Sequence, residues 1–270
     1  MFWKKSPRKK LETLLHDGST AMDAGDFDGA FAIYDRLVHD AAAARYPILE
    51  AAGLQRRGVV RDLRGESLDA ERDVRAALQM NRTTSGVDRG TIRQDLFSLG
   101  VILARRGDSL AAEAPFLESA EIAGVFDQDA HYRAIHSVLI GRMQREDQAG
   151  AIELLWNVRP GGDSPRWLVG SLDAHHLTRL LIAAGRLDDA LMMLPNCLTA
   201  VAYWSAKRDL GSIGKETLSA VYEASVKTAV ACARGAAEAD RREEAGAVLE
   251  LLAHMPGIDG VEELRAELLG

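Results

Sequence analysis

The chain reads as an all-α protein, an α-solenoid of about six antiparallel helix hairpins ending in a C-terminal capping helix. Three observations predict it. A short turn rich in Gly or acidic residues recurs six times, starting at Gly25, Gly65, Gly107, Glu146, Gly185 and Asp240. Five residues after each start stands an alanine that opens an apolar stretch: Ala30, Ala70, Ala112, Ala151, Ala190 and Ala245. Four residues after each alanine comes a bulky apolar residue, Tyr34, Val74, Phe116, Leu155, Leu194 and Leu249, one helical turn further on. A single hairpin cannot bury its apolar face alone, so such units stack.

Taken in order, residues 1–10 form a basic, aromatic tail expected to be disordered. Residues 11–158 hold units one to four, with their alanines 40, 42 and 39 residues apart. Residues 159–170 are a loop by their Pro and Gly content, Arg159-Pro160-Gly161-Gly162-Asp163-Ser164-Pro165. Residues 171–270 hold units five and six and the cap. The longer spacing before Ala245 accommodates a second loop around Lys207–Gly214. Pro195 is expected to kink its helix, because its ring removes one backbone hydrogen bond. The amphipathic end, Val261–Leu269, suits the polar-faced cap that an array needs. Asp28, Asp69 and Asp188 fit helix N-termini, where acids are favoured by capping and the macrodipole.

Twelve residues before the first three alanines stand Gly18, Gly58 and Gly100; the later units carry Leu139, Thr178 and Ala233 there. Glycine in a helix costs about 1 kcal/mol relative to alanine. Three in register imply a place where two helix backbones must come close.

Gly18/Ala30/Tyr34, Gly58/Ala70/Val74 and Gly100/Ala112/Phe116 together resemble the tetratricopeptide-repeat (TPR) family, and the last three units do so more loosely. The likeness covers residues 11 to about 255. It departs from the family in period, which is 34 residues there, and in placing a proline near the repeat end only at Pro160 and Pro256. Longer units imply longer helices or longer loops. The resemblance implies a right-handed array whose first helices line an inner groove for a protein segment. It transfers that role to Leu15, Met22, Val59, Phe97, Val101, His136, Ile140, Met143, His175, Arg179 and Ile182. Some members clamp a C-terminal carboxylate with Lys, Asn and Arg, but the three asparagines here, Asn81, Asn157 and Asn196, fall in or after second helices. The apolar members of the set suit an amphipathic or extended apolar segment. They equally suit inter-repeat core, since a shift of one residue exchanges the two.

Composition narrows the function classes. The chain is 47% hydrophobic and carries 33 Lys and Arg against 40 Asp and Glu, a net charge of −7. That balance argues against nucleic acid, whose phosphates need clustered cations. Cys197 and Cys232, without CxxC spacing, read as core thiols in a reducing compartment. No apolar run is long enough to span a bilayer, so a cytoplasmic placement is expected. The tail residues Phe2, Trp3, Lys4, Lys5, Arg8, Lys9 and Lys10 offer a weak, salt-sensitive contact with an anionic membrane as an alternative to plain disorder.

Catalytic motifs are missing. There is no HExxH, GxSxG, GxxxxGK[ST] or strand-borne GxGxxG. His131 and His136 diverge around a helix, and of Asp173, His175 and His176 at most two side chains can meet one ion. No cofactor or metal is expected. The expected function is a non-enzymatic scaffold or adaptor for a protein or peptide segment, of open oligomeric state. A membrane-peripheral adaptor and an enzyme using the His131–His176 region are the alternatives.

Overall fold

Six sharp turns with a shared backbone conformation define the molecule. Gly25, Gly65, Gly107, Glu146, Gly185 and Asp240, the six turn starts, all have positive φ, between 58° and 89°. At Gly25 the chain reverses through paired bonds, Gly25 N–H to the Met22 carbonyl and Asp26 N–H to the Ala21 carbonyl, both 2.9 Å. The same pairing recurs at Gly65, Gly107, Gly185 and Asp240. This left-handed ending satisfies helix carbonyls that would otherwise lack partners.

The computed structural model describes residues 6–124, 127–157, 167–205, 215–255 and 258–270. Among them are thirteen helices and no strand. Two compact units, Met1–Arg145 and Glu146–Gly270, divide the chain. The division falls at the fourth turn, ahead of the Pro/Gly segment.

The first unit contains α1 (Pro7–Asp23), α2 (Phe27–Ala44), α3 (Pro47–Leu63), α4 (Ser67–Thr83), α5 (Arg89–Arg105), α6 (Ser109–Ala123) and α7 (Gln128–Gln144). Each helix packs on the next, and α3 touches both α1 and α5. The second unit contains α8 (Gln148–Asn157), α9 (Trp167–Ala183), α10 (Leu187–Ser205), α11 (Lys215–Glu238), α12 (Arg242–Ala253) and α13 (Val261–Leu269). There α9, α10 and α11 pack mutually, and α13 covers α11 and α12 as the terminal cap.

The repeat register is the core. All six alanines and all six knobs are buried, and so are Gly18, Gly58, Gly100, Leu139, Thr178 and Ala233. A Cβ placed on Gly18 would lie 2.5 Å from the Tyr34 ring, one on Gly58 2.6 Å from Val74, and one on Gly100 2.6 Å from the Phe116 ring. The glycines are therefore the sockets for the knobs of the partner helix, and the close approach implied by their spacing is present.

Caps start the second helices. Asp26, Asp108 and Asp147 accept from the backbone N–H groups of Gly29, Ala111 and Gly150. Asp28, Asp69 and Asp188 lie in the first turns of α2, α4 and α10, so theirs is a macrodipole role rather than a cap.

Some expectations are corrected. Residues 1–10 are not all tail: Ser6 caps α1 through the Lys9 N–H, and Pro7, Arg8, Lys9 and Lys10 form its first turn. Proline is favoured at that position, where its missing N–H is not needed. Phe2, Trp3, Lys4 and Lys5 lie outside the described residues, as do residues 159–166 and 207–214 of the two expected loops. The first of those loops is expected to reach residue 170, but α9 already begins at Trp167. α10 continues through Pro195, as α6 does through Pro115.

Charged groups inside the first unit are held by one another. Asp73 is bound by Arg57 at 2.7 and 2.8 Å and by Arg61 at 2.8 Å, and Arg57 also reaches Asp35 of α2. Asp95 of α5 is less well served. It is 2% exposed and accepts one bond from Asn81 of α4, at 2.7 Å. Burial pushes its carboxyl up to about 6, and the Asn81 bond opposes this only in part.

Two predictions follow from the packing. Gly58→Ala and Gly100→Ala are expected to cost about 1–3 kcal/mol by overpacking, although alanine ordinarily gains about 1 kcal/mol over glycine in a helix. Gly246→Ala in α12, whose added Cβ meets nothing nearer than Leu269 at 3.7 Å, is expected to stabilise. Urea unfolding of the three variants reads the opposite signs.

The second concerns Asp95. Its folded-state value exceeds the unfolded one, so its contribution is full below about pH 4 and is lost as pH rises through about 6. Asp95→Asn is therefore expected to gain roughly 3 kcal/mol at pH 7, at about 1.4 kcal/mol per pKa unit. The gain should vanish below pH 4, as melts across pH will show.

Candidate binding furrow

The first helices α1, α3 and α5 each turn one face to their knob-bearing partner, α3 also touches α1 and α5, and α7 packs on α6. The expected binding residues differ in burial. Leu15 and Met22 of α1 are half-buried and pack on the cluster of Leu11, Tyr34 and Leu37, so they are largely core. Val59 of α3, Phe97 and Val101 of α5 and His136 of α7 are half-buried. Ile140 and Met143 of α7 are 45% and 43% exposed.

In the second unit the set separates. Ile182 of α9 is half-buried and Arg179 exposed. His175 is 2% exposed and does not face a groove. Its Nε2 lies 2.9 Å from the Ser225 hydroxyl of α11. The residue at this repeat position points into the α9–α11 packing, a correction that spacing alone does not give.

Polar side chains decide where the inner face is open. Between α3 and α5 they satisfy each other. Gln55, itself buried, donates to Ser98 at 3.0 Å, and Arg105 bridges to Asp62 at 2.7 Å. Between α5 and α7 a cleft of about 350 Å³ remains, lined by Arg93, Gln94, Phe97 and Ser98 of α5 and by Ala130 and Arg133 of α7. Arg93 makes one long contact with Asp127, 3.3 Å. Arg133 is exposed, and its Nε reaches only the Asp129 carbonyl of its own helix, at 3.3 Å. Phe97 forms the floor and packs edge-to-face on Phe116, with centroids 5.4 Å apart.

Further along the same two helices a second cleft, of about 220 Å³, takes in Ala104 and Arg105 of α5 and Ile140, Gly141 and Gln144 of α7 over Phe116 of α6. α7 is fixed from behind by Glu113 of α6, which binds Arg142 and, at 2.8 Å, Arg145; the two guanidinium groups hold its carboxyl below the usual range.

Sequence reasoning missed Arg93, Gln94, Ser98 and Arg133. A signal was available: Arg93 stands four residues before Phe97, and Arg133 stands three before His136 and seven before Ile140, the spacings of one helix face.

The titratable groups shifted furthest are buried. Burial pushes the Cys197 thiol up to about 11 and Cys232 up to about 12, far from nucleophilic thiolates. Burial and neighbouring His176 lower His175 to about 4. His131 contacts the Ala120 carbonyl at 2.9 Å. Among the described residues no group of three His, Cys, Asp or Glu is placed to hold a metal ion. Among the described residues no helix is long and apolar enough to cross a membrane.

No protein-family profile matches the sequence, and no curated protein matches it. Solved structures do. PilF of Pseudomonas aeruginosa is 15% identical over 97% of this chain and 100% of its own, with a TM-score of 0.51. The fold is tetratricopeptide-like. A tetratricopeptide repeat protein from Parabacteroides merdae aligns at 12% identity over 97% of this chain and 100% of its own, TM-score 0.48. The Rap conjugation gene regulator of plasmid pLS20, solved with the Phr* peptide, aligns at 14% over 96% and 73%, TM-score 0.45. At these identities the likeness carries the TPR-like hairpin fold alone.

Proposed function

We propose that this chain is a non-enzymatic scaffold or adaptor that binds an apolar or amphipathic protein segment along the furrow between α5 and α7. The observation that carries this reading is the exposure of Ile140 and Met143, two large apolar side chains one turn apart, beside an open cleft. Exposed apolar side chains that gather beside a concavity mark interaction sites. Val59, Phe97, Val101 and His136 extend the surface within the same unit. Arg179 and Ile182 belong to the other unit, where they offer a face of their own.

Stability and capture measured on the same variants test the proposal. Ile140→Ala combined with Met143→Ala is expected to change stability by less than about 1 kcal/mol, as surface truncations do. The same pair should abolish capture of the partner that the full chain draws from native lysate. Phe97→Ala should cost more, because its ring also packs on Phe116. Undiminished capture by the folded double variant would place the binding surface elsewhere.

A membrane contact is a second reading, favoured by the exposure of Arg8, Lys9 and Lys10 within one turn at the start of α1. The full chain is then expected to sediment with phosphatidylserine vesicles at low salt and to be released as salt screens the attraction. Failure to sediment at low salt removes this reading.

A further inference from the structure

Resting on the furrow reading, we propose that the ligand is an extended, acidic protein segment read in two places. An acidic side chain sits between Arg93 and Arg133, and a large apolar side chain about four residues away covers Ile140.

Charge complementarity identifies the first position. Two guanidinium groups from α5 and α7 line one cleft, and among the described residues no acid lines it with them. Arg93 spends part of its charge on Asp127, whose Oδ1 is engaged in capping α7 through the Ala130 N–H at 3.1 Å. Arg133 has no carboxylate partner among the described residues. The cleft also lies toward the N-terminal ends of α5 and α7, the positive ends of their dipoles. Gln94 and Ser98 supply further polar contacts beside the Phe97 ring. A carboxylate fits this set: planar forks of donors suit it, and the aromatic floor suits the methylene carbons of Asp or Glu.

Helix geometry sets the register. The first cleft centres near residues 95 and 131, and the second near 104 and 140. Nine residues at about 1.5 Å of rise each separate the two by about 13 Å. An extended chain advances about 3.3 Å per residue, so about four residues join the two side chains. A helical ligand would need about nine residues for the same span.

The test is affinity selection on the full chain with a phage library of random linear dodecapeptides. Peptides with Asp or Glu about four residues from Leu, Ile, Met or Phe are expected to be enriched. A resynthesised winner should lose about tenfold in affinity when its acid is replaced by Gln. Arg133→Glu, at an exposed position and verified as folded by circular dichroism, should lose the same factor for the acidic peptide and select basic residues instead. Ile140→Ser should relax the apolar preference and keep the acidic one. Winners without an acid, or winners indifferent to Arg133→Glu while sensitive to Ile140→Ser, overturn the acidic site and leave the furrow standing. No enrichment at all, or winners indifferent to both substitutions, overturns the furrow reading together with this one.

Discussion

The contact between a missing side chain and a large one on the opposite helix governs this structure. Gly18, Gly58 and Gly100 have no Cβ where Tyr34, Val74 and Phe116 press against the backbone. A residue of any other type there would push the two helices apart, and the next hairpin would meet a displaced neighbour. The knob itself is then fixed. Tyr34 finds the Ser19 hydroxyl at 3.2 Å, and Phe116 offers its edge or face to Phe97. The floor of the candidate site is thus set by packing behind it. A side chain one layer removed from solvent decides how high Phe97 stands in the furrow.

The same arrangement explains why the inner face is open in one place and closed in another. Polar groups lowered into a helix seam need partners. Between α3 and α5 they have them, in Gln55 with Ser98 and Arg105 with Asp62. Deeper charges are matched too, with Asp73 held between two arginines. Between α5 and α7 the accounting does not close among the described residues, where Arg133 makes a long bond to its own helix. Surplus donors beside exposed apolar side chains are the basis of the ligand surface proposed above. The groups whose proton affinities are shifted furthest, Asp95, His175 and the two thiols, are buried.

Much of the fold was legible because it is written in covalent geometry that sequence displays directly. A left-handed turn favours glycine, and four of the six turns have it; Glu146 and Asp240 were found only through their place in the register. The glycine-to-knob spacing of sixteen residues survives in the structure without a slip. The start of α1 was not read, because a run of lysines after a proline has no apolar period to announce a helix. The furrow was legible in part. Whether a helical position faces a groove or the neighbouring hairpin depends on the rotation of its helix by a fraction of a turn. That rotation sent His175 inward and left Met143 outside. Arginines on helices are ordinarily solvated, so nothing in the pattern distinguished Arg93 and Arg133 from Arg56 or Arg72. Only their position does, since both line the cleft between α5 and α7.

The long repeat also acquires a physical meaning. A period near 40 residues, against 34 in the family pattern, goes into the helices: α1, α3, α4, α5 and α7 have 17 residues each and α2 has 18. At about 1.5 Å per residue a 17-residue helix presents a face of about 25 Å. A furrow between two such helices can hold two separate clefts end to end, one near the N-terminal ends with positive dipoles and arginines, the other apolar and nearer the C-terminal ends. Recognition can then be divided between charge and burial along a single pair of helices. In shorter repeats the same division would have to be spread across successive hairpins. Here the extra helical length in each repeat makes room for the two-part furrow, and the socket at Gly100 holds α5 close against α6 beneath it.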